Sequence, residues 1–314
     1  MQNPELYYRP SGIIPLKSIF IFLLIGIPSA VICGVLYEIV ISSVSYIFLD
    51  IVFVVLFGAL AGVACKRMVR AGKMRNIPAA IFAGILFGAI VIYAKWSYWY
   101  IDNLSLLSTG ENTFVQFFNT LMHPVNTWEM MKLVNTVGAF SIDKTVYKGI
   151  MLWILWGSEA GMFLYFAILH PLRQAKIPFS ETGDDWMEEK IAPEFLNATV
   201  PMKELQGQLE SGNFNLLVNG IKANGMTSRR WTVVCYVDEA AVEYFLEVIE
   251  MKPTKSGRFG GRVKPRPSVF VGNGKSSGML RISKSNYEML QLSLHVSEAV
   301  TPLDDLKNKL NDRS

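Results

Sequence analysis

The feature that most constrains this chain is the run from Ile150 to Leu169, apolar except for a short interruption at residues 157–161. A helix rises about 1.5 Å per residue, so a run of this length crosses an apolar layer about 30 Å thick. Three more runs precede it, and the four span segments fall at about 18–44, 46–64, 77–94 and 149–170. Backbone polar groups inside such a layer must be satisfied within their own segment, so each run is expected to be a helix. The first run is too long for a signal peptide and reads as an uncleaved span with a tolerated kink at Pro28. Glu38 near its far end reads as interfacial. Glu159 is different, because it falls near the middle of the fourth run.

Charge divides the chain in two. Before Pro171 there are 11 of the 30 Lys/Arg and 8 of the 26 Asp/Glu, so the remaining 19 and 18 crowd into the last 144 residues. The whole chain is 51% hydrophobic and 18% charged. This describes an apolar first part followed by a water-facing one near neutrality, and the net charge of +4 does not argue for nucleic acid. Cys33, Cys65 and Cys235 are too far apart for a CxxC pair, and His123, His170 and His295 are equally scattered. Neither a disulfide framework, a metal site nor a cofactor is expected.

Topology follows from the basic loops. Lys66, Arg67, Arg70, Lys73 and Arg75 lie between the second and third runs with no acid among them. Short basic loops stay on the cytoplasmic side, so both termini are expected in the cytoplasm and residues 96–148 outside it. Trp96, Tyr98, Trp99 and Tyr100 fit an interfacial aromatic belt. In the outer segment, Phe114, Phe117, Phe118 and Leu121 form a helical stripe over 113–122. Asn126 with Glu129 resembles a cap for a second helix to about Val137. Each run also carries small residues four apart (Gly34 after Ala30, Gly62 after Gly58, Gly88 after Gly84, Gly161 after Gly157), which lets helices pack closely. Bundle packing is the simple reading of these faces, and homo-oligomerisation through one of them is the sharper one.

After Pro171, residues 171–200 read as an acidic linker and 201–314 as a cytoplasmic α+β domain. Two short helices are expected in 201–224, strands at 230–237 and 242–251, short strands at 268–271 and 279–283, a helix from Ser285, and a last helix after Pro302. Between the two long strands and the later ones lies a stretch rich in Lys and Arg, including Arg258, Arg262, Lys264, Arg266 and Lys275, with no acid. The simple reading is a solvated hairpin loop; the alternatives are contact with anionic lipid headgroups, with the acidic linker or a partner, or with RNA. RNA is the weakest partner because only Phe259 could stack there. Gly274-Lys275-Ser276 is not a phosphate loop, since Val269 stands where that motif needs glycine.

Tyr7-Tyr8 with Pro10-Ser11-Gly12, the stretch Gly72 to Asn76, Asn135 with Gly138, and Glu159-Ala160 together resemble a group of multi-pass bacterial inner-membrane proteins with no known activity. Some members of that group carry a cysteine pair just after the last span. The matching stretch here, Pro178 to Gly183, has no cysteine, so the resemblance implies no zinc site. The fold class expected is therefore a membrane all-α four-helix bundle with a small cytoplasmic α+β domain. The function expected is non-enzymatic: an anchored domain that binds a partner or senses a signal. The alternative is a transporter or channel subunit using Glu159 as a proton or cation site.

The topology has a direct test. A reporter active only in the cytoplasm should work when fused after Gly72 or Ser314 and fail when fused near Gly110.

Overall fold

A computed structural model describes residues 6–44, 47–105, 112–142, 145–223, 229–238, 243–251 and 275–298. The chain divides into two units: residues 11–176 form one, and residues 1–10 with 177–314 form the other.

The first unit is helical. Helix α1 (Leu16–Ile21), a π-turn (Phe22–Gly26) and α2 (Ile27–Ser42) form one rod, followed by α3 (Ile47–Ala71) and α4 (Ile77–Ser105). Proline lacks an N–H and clashes with the carbonyl four residues back. The π-turn widens the rod just before Pro28, which fits the kink that proline imposes. Then come α5 (Thr113–Met122), α6 (Pro124–Val137), a small hairpin of β1 (Phe140–Ile142) and β2 (Thr145–Tyr147), and α7 (Ile150–Lys176). Four of these rods, Leu16–Ser42, Leu49–Ala71, Ile77–Asn103 and Ile150–Lys176, are long and apolar enough to cross a membrane. Their outer surfaces carry exposed Leu24, Ile32, Leu60, Phe82 and Ile154, an apolar exterior suited to lipid.

The rods run past the expected spans. Helix α3 continues through Lys66, Arg67 and Arg70, so three of the five cations expected in the loop are helical, and only Lys73 and Arg75 lie between α3 and α4. Cations in a last turn suit the negative end of the helix dipole, and that lets the helix outlast its apolar stretch. The expected cap at Asn126 gives way to an earlier start, because Pro124 enters at the first turn of α6.

Glycine sets the helix spacing. A Cβ on Gly34 would strike the Val91 carbonyl of α4, one on Gly62 the Phe166 carbonyl of α7, and one on Gly84 the Ala167 carbonyl of α7. These three faces are bundle packing. Gly157 and Gly161 have nothing within 4 Å of such a Cβ, so their face of α7 is open. Tyr37, Phe87, Val91 and Phe163 fill the middle of the bundle.

The second unit is a mixed domain: β3 (Phe179–Ser180), β4 (Asp185–Trp186), β5 (Glu188–Ile191), β6 (Leu196–Asn197), α8 (Met202–Glu210), α9 (Asn215–Val218), β7 (Arg230–Asp238), β8 (Glu243–Met251), β9 (Lys275–Ser276), β10 (Leu280–Ile282), α10 (Lys284–Leu294) and β11 (Ser297–Glu298). The central sheet is antiparallel in the order β10-β8-β7-β5-β11, with β6 also on β7 and β9 also on β8. Trp231, Val233, Cys235, Leu246 and Val248 face one core with Leu205, Leu209 and Leu290 from the helices. Val234, Tyr236, Phe245 and Ile249 face a second, with Tyr8 and Ile177.

Two boundaries differ from the sequence expectation. Residues 177–200, read there as an acidic linker, carry β3 to β6, and β5 pairs along β7 from Glu188–Val237 to Ile191–Val234. Residues 188–191, Glu-Glu-Lys-Ile, bury only Ile191 fully and are held as a strand by pairing along β7, which raw acidity disguises. The N-terminal segment also belongs to this domain. Tyr8 N–H donates to the Met279 carbonyl at 2.9 Å and Arg281 N–H to the Leu6 carbonyl at 2.7 Å, so residues 6–8 add an edge beside β10. The strand expected at 268–271 and the helix expected after Pro302 lie outside the described residues.

The Tyr7 hydroxyl donates to Glu210 at 2.6 Å and accepts from Gln206 at 3.0 Å. Burial first, and then the bond to Glu210, push its phenol from the usual 10.0 up to about 12. Tyr7→Phe should lower domain stability by about 1–2 kcal/mol, read from thermal unfolding. The neutral phenol is the favoured form, so its contribution is whole below pH 10.0 and is lost as pH rises through about 12. The Phe variant should lack that alkaline loss.

Candidate functional site

Helix α4 presents one inner face through Gly84, Gly88, Val91 and Lys95, steps of four, three and four residues that hold one side of a 3.6-residue helix. Lys95 is buried because it continues the face on which Gly84 and Gly88 meet α7. On α2 the same logic runs from Ala30 and Gly34 to Glu38, which is 3% exposed. On α7 the inner face runs through Leu152, Glu159, Phe163 and Ala167, away from Gly157 and Gly161.

These three faces bring one ammonium group between two carboxylates. Lys95 Nζ lies 2.6 Å from Glu159 Oε1 and 4.0 Å from Glu38 Oε2. The first distance is a charge-assisted hydrogen bond, and the second is a longer-range attraction. Aromatic rings complete the surroundings: Lys95 Nζ sits 4.4 Å from the Trp96 ring centroid and 5.5 Å from that of Tyr37. Tyr37 is wedged edge-on against Phe57 and Phe163. Asp50 in the first turn of α3 and Asp102 on α4 add their charges to the same field. Glu38 Oε2 and Asp50 Oδ1 are buried without a hydrogen bond.

Beside the cluster, tryptophans contact one another from Trp99 through Trp96, Trp156 and Trp153 to Trp128 on α6. Helix α5 is held to α4 by Tyr93, whose hydroxyl donates to the Leu121 carbonyl at 2.8 Å, and Phe117 packs on Tyr98. Asn135 donates to the Gly149 carbonyl at 2.7 Å and so ties α6 to the start of α7. The residues behind the family resemblance thus include several packing contacts. Asn76 likewise donates to the Gly12 carbonyl at 2.9 Å.

In the second unit, Lys203, Gln206, Arg229, Glu250, Lys275 and Ser276 line a groove of about 810 Å³. Arg229 donates to Glu250, which raises the guanidinium above its ordinary value. Lys275 is the one member of the basic stretch placed there; Arg258, Arg262, Lys264 and Arg266 lie outside the described residues. Cys235 is sealed in the sheet core, and burial pushes its thiol up to about 12, which leaves it inert. Among the described residues, no group of three or more His, Cys, Asp or Glu side chains is arranged to hold a metal.

Reading Glu38 as interfacial missed its place in the cluster. The signal was available: Glu38 follows Gly34 by four residues, and the small-residue face is the one that turns inward. No family model, curated protein or solved structure matches the chain, so the cluster is read from its own geometry.

Removing the cation strands a buried carboxylate. Lys95→Met should destabilise the bundle by about 3–5 kcal/mol. Adding Glu159→Gln to that variant should restore most of the loss in thermal unfolding of the purified protein.

Proposed function

We propose that the chain is an integral protein of the bacterial inner membrane, with both ends in the cytoplasm, whose four-helix bundle anchors a cytoplasmic domain that binds a partner or senses a signal. The observation that carries this reading is the sheet built from both sides of the bundle. Residues 6–8 form its edge just before the first membrane-length helix, and β5 enters the same sheet after the last one. Segments that share one folded domain must lie on the same side of a bilayer, and four crossings satisfy that. The basic residues Lys66, Arg67, Arg70, Lys73 and Arg75 favour the cytoplasm as that side. The domain is joined to the bundle at two points, so a ligand or partner that shifts the sheet acts on the first and last helices together.

Lys203 and Lys275 give the groove a basic rim suited to an acidic partner segment or to anionic headgroups. The open Gly157 and Gly161 face suits contact with lipid or with a second copy of α7. A second reading, a transporter or channel subunit, draws on the buried Lys95–Glu159 pair, since intramembrane charges mark ion pathways in many proteins.

Purification of the tagged protein in mild detergent separates the two. The anchored-domain reading expects a stoichiometric cytoplasmic partner that leaves when residues 177–314 are removed. A homo-oligomer without such a partner that passes ions in liposomes would overturn it in favour of the transporter or channel.

A further inference from the structure

We propose that the Glu38–Lys95–Glu159 cluster is a proton-binding site and that Glu38 is the group that takes the proton. The inference goes beyond the anchoring role and needs only the bundle.

Among the described residues, the charged or titratable groups around the site are Tyr37 and Glu38 from α2, Asp50 from α3, Lys95 and Asp102 from α4, and Glu159 from α7. That is one cation among four carboxylates. Lys95 gives its short bond to Glu159 and stands 4.0 Å from Glu38. The Glu38 side chain is 4% exposed, aims Oε2 at the ammonium, and makes no hydrogen bond through that oxygen. A carboxylate whose buried oxygen has no donor and whose nearest counter-charge stands at 4.0 Å is better served by a proton than by its charge. The step is a simple association: a proton from solvent bonds to Oε2, and the carboxylate becomes a neutral acid. No other bond changes.

Occupancy of this site has a structural consequence. With Glu38 neutral, Lys95 ties α4 to α7 through Glu159 alone. With Glu38 charged, the ammonium is drawn toward α2 as well and is shared between two acids. Protonation thus decides how tightly α2, α4 and α7 are joined at one point. A metal ion is the poorer occupant, because the Lys95 ammonium already holds the centre and cations repel.

Infrared spectroscopy of the full-length protein in liposomes tests this. The wild type should show the C=O stretch of a buried protonated carboxylic acid, and the band should fade as pH rises. Glu38→Gln should lose that band while keeping the wild-type thermal unfolding temperature, since a neutral amide replaces a neutral acid of the same shape. Glu159→Gln should make the band fade at lower pH than in the wild type, because the freed ammonium then has Glu38 as its nearest carboxylate. If Glu38→Gln does not fold, Glu38→Asp decides, because its band should persist at a shifted frequency. Absence of the band in the wild type, or its persistence unshifted in the Glu38 variants, would overturn the proposal. So would a band that falls at constant pH when sodium replaces choline, because the ligand would then be a metal cation.

Discussion

The bundle depends on what it does with the charge on Lys95. An ammonium group among apolar helices loses its hydration, and that loss must be offset at short range. Glu159 meets it at 2.6 Å, and the Trp96 and Tyr37 rings cover it. Because the two ends of the pair sit on α4 and α7, the bond also fixes the rotation of both helices. A turn of either about its axis would carry a charge toward the apolar exterior. The glycines work with it: Gly84 and Gly62 bring α4 and α3 to backbone distance from α7. Close packing alone leaves helices free to slide among near-equivalent fits, whereas one ion pair selects a single register.

The mixed domain solves a different problem. Its long strands β7 and β8 are buried on both faces, so they need cover from two sides. Helices α8 and α10 supply one side. On the other, Tyr8 packs edge-on against Phe245, and its backbone continues the sheet past β10. The Tyr7 hydroxyl, set between Glu210 and Gln206, holds the same segment from the helix side. The segment before the first long helix is therefore part of the same domain as the residues after the last one.

Particular residues mark how far the sequence could be read. The four rods, the helix over 113–122 and the β7–β8 hairpin were all legible, because apolar length, a 3.6-residue stripe and strand alternation are local properties. Glu159 stood out for the same reason, being a charge within an apolar run. The partners of Glu159 were harder to read: Glu38 was taken as interfacial, and Lys95 follows directly on the third apolar run. Local hydropathy puts both near the ends of their runs, where charges commonly face water. Their burial follows from which helix face is turned inward, and that depends on the neighbours.

By itself, the amino-acid sequence determined the number of membrane-length helices, the gathering of basic residues between the second and third of them, and the division into an apolar and a more charged part. Those outcomes follow from transfer free energies that sum along the chain, residue by residue. Only the tertiary structure decided that Lys95 chooses Glu159 over Glu38, that residues 6–8 complete a sheet whose other strands lie beyond residue 187, and that the Gly157 and Gly161 face stays open. Each is a pairing between distant parts of the chain. Such pairings are selected by geometry and by the cost of leaving a buried charge or a strand edge unmatched, and neither is recorded in local composition.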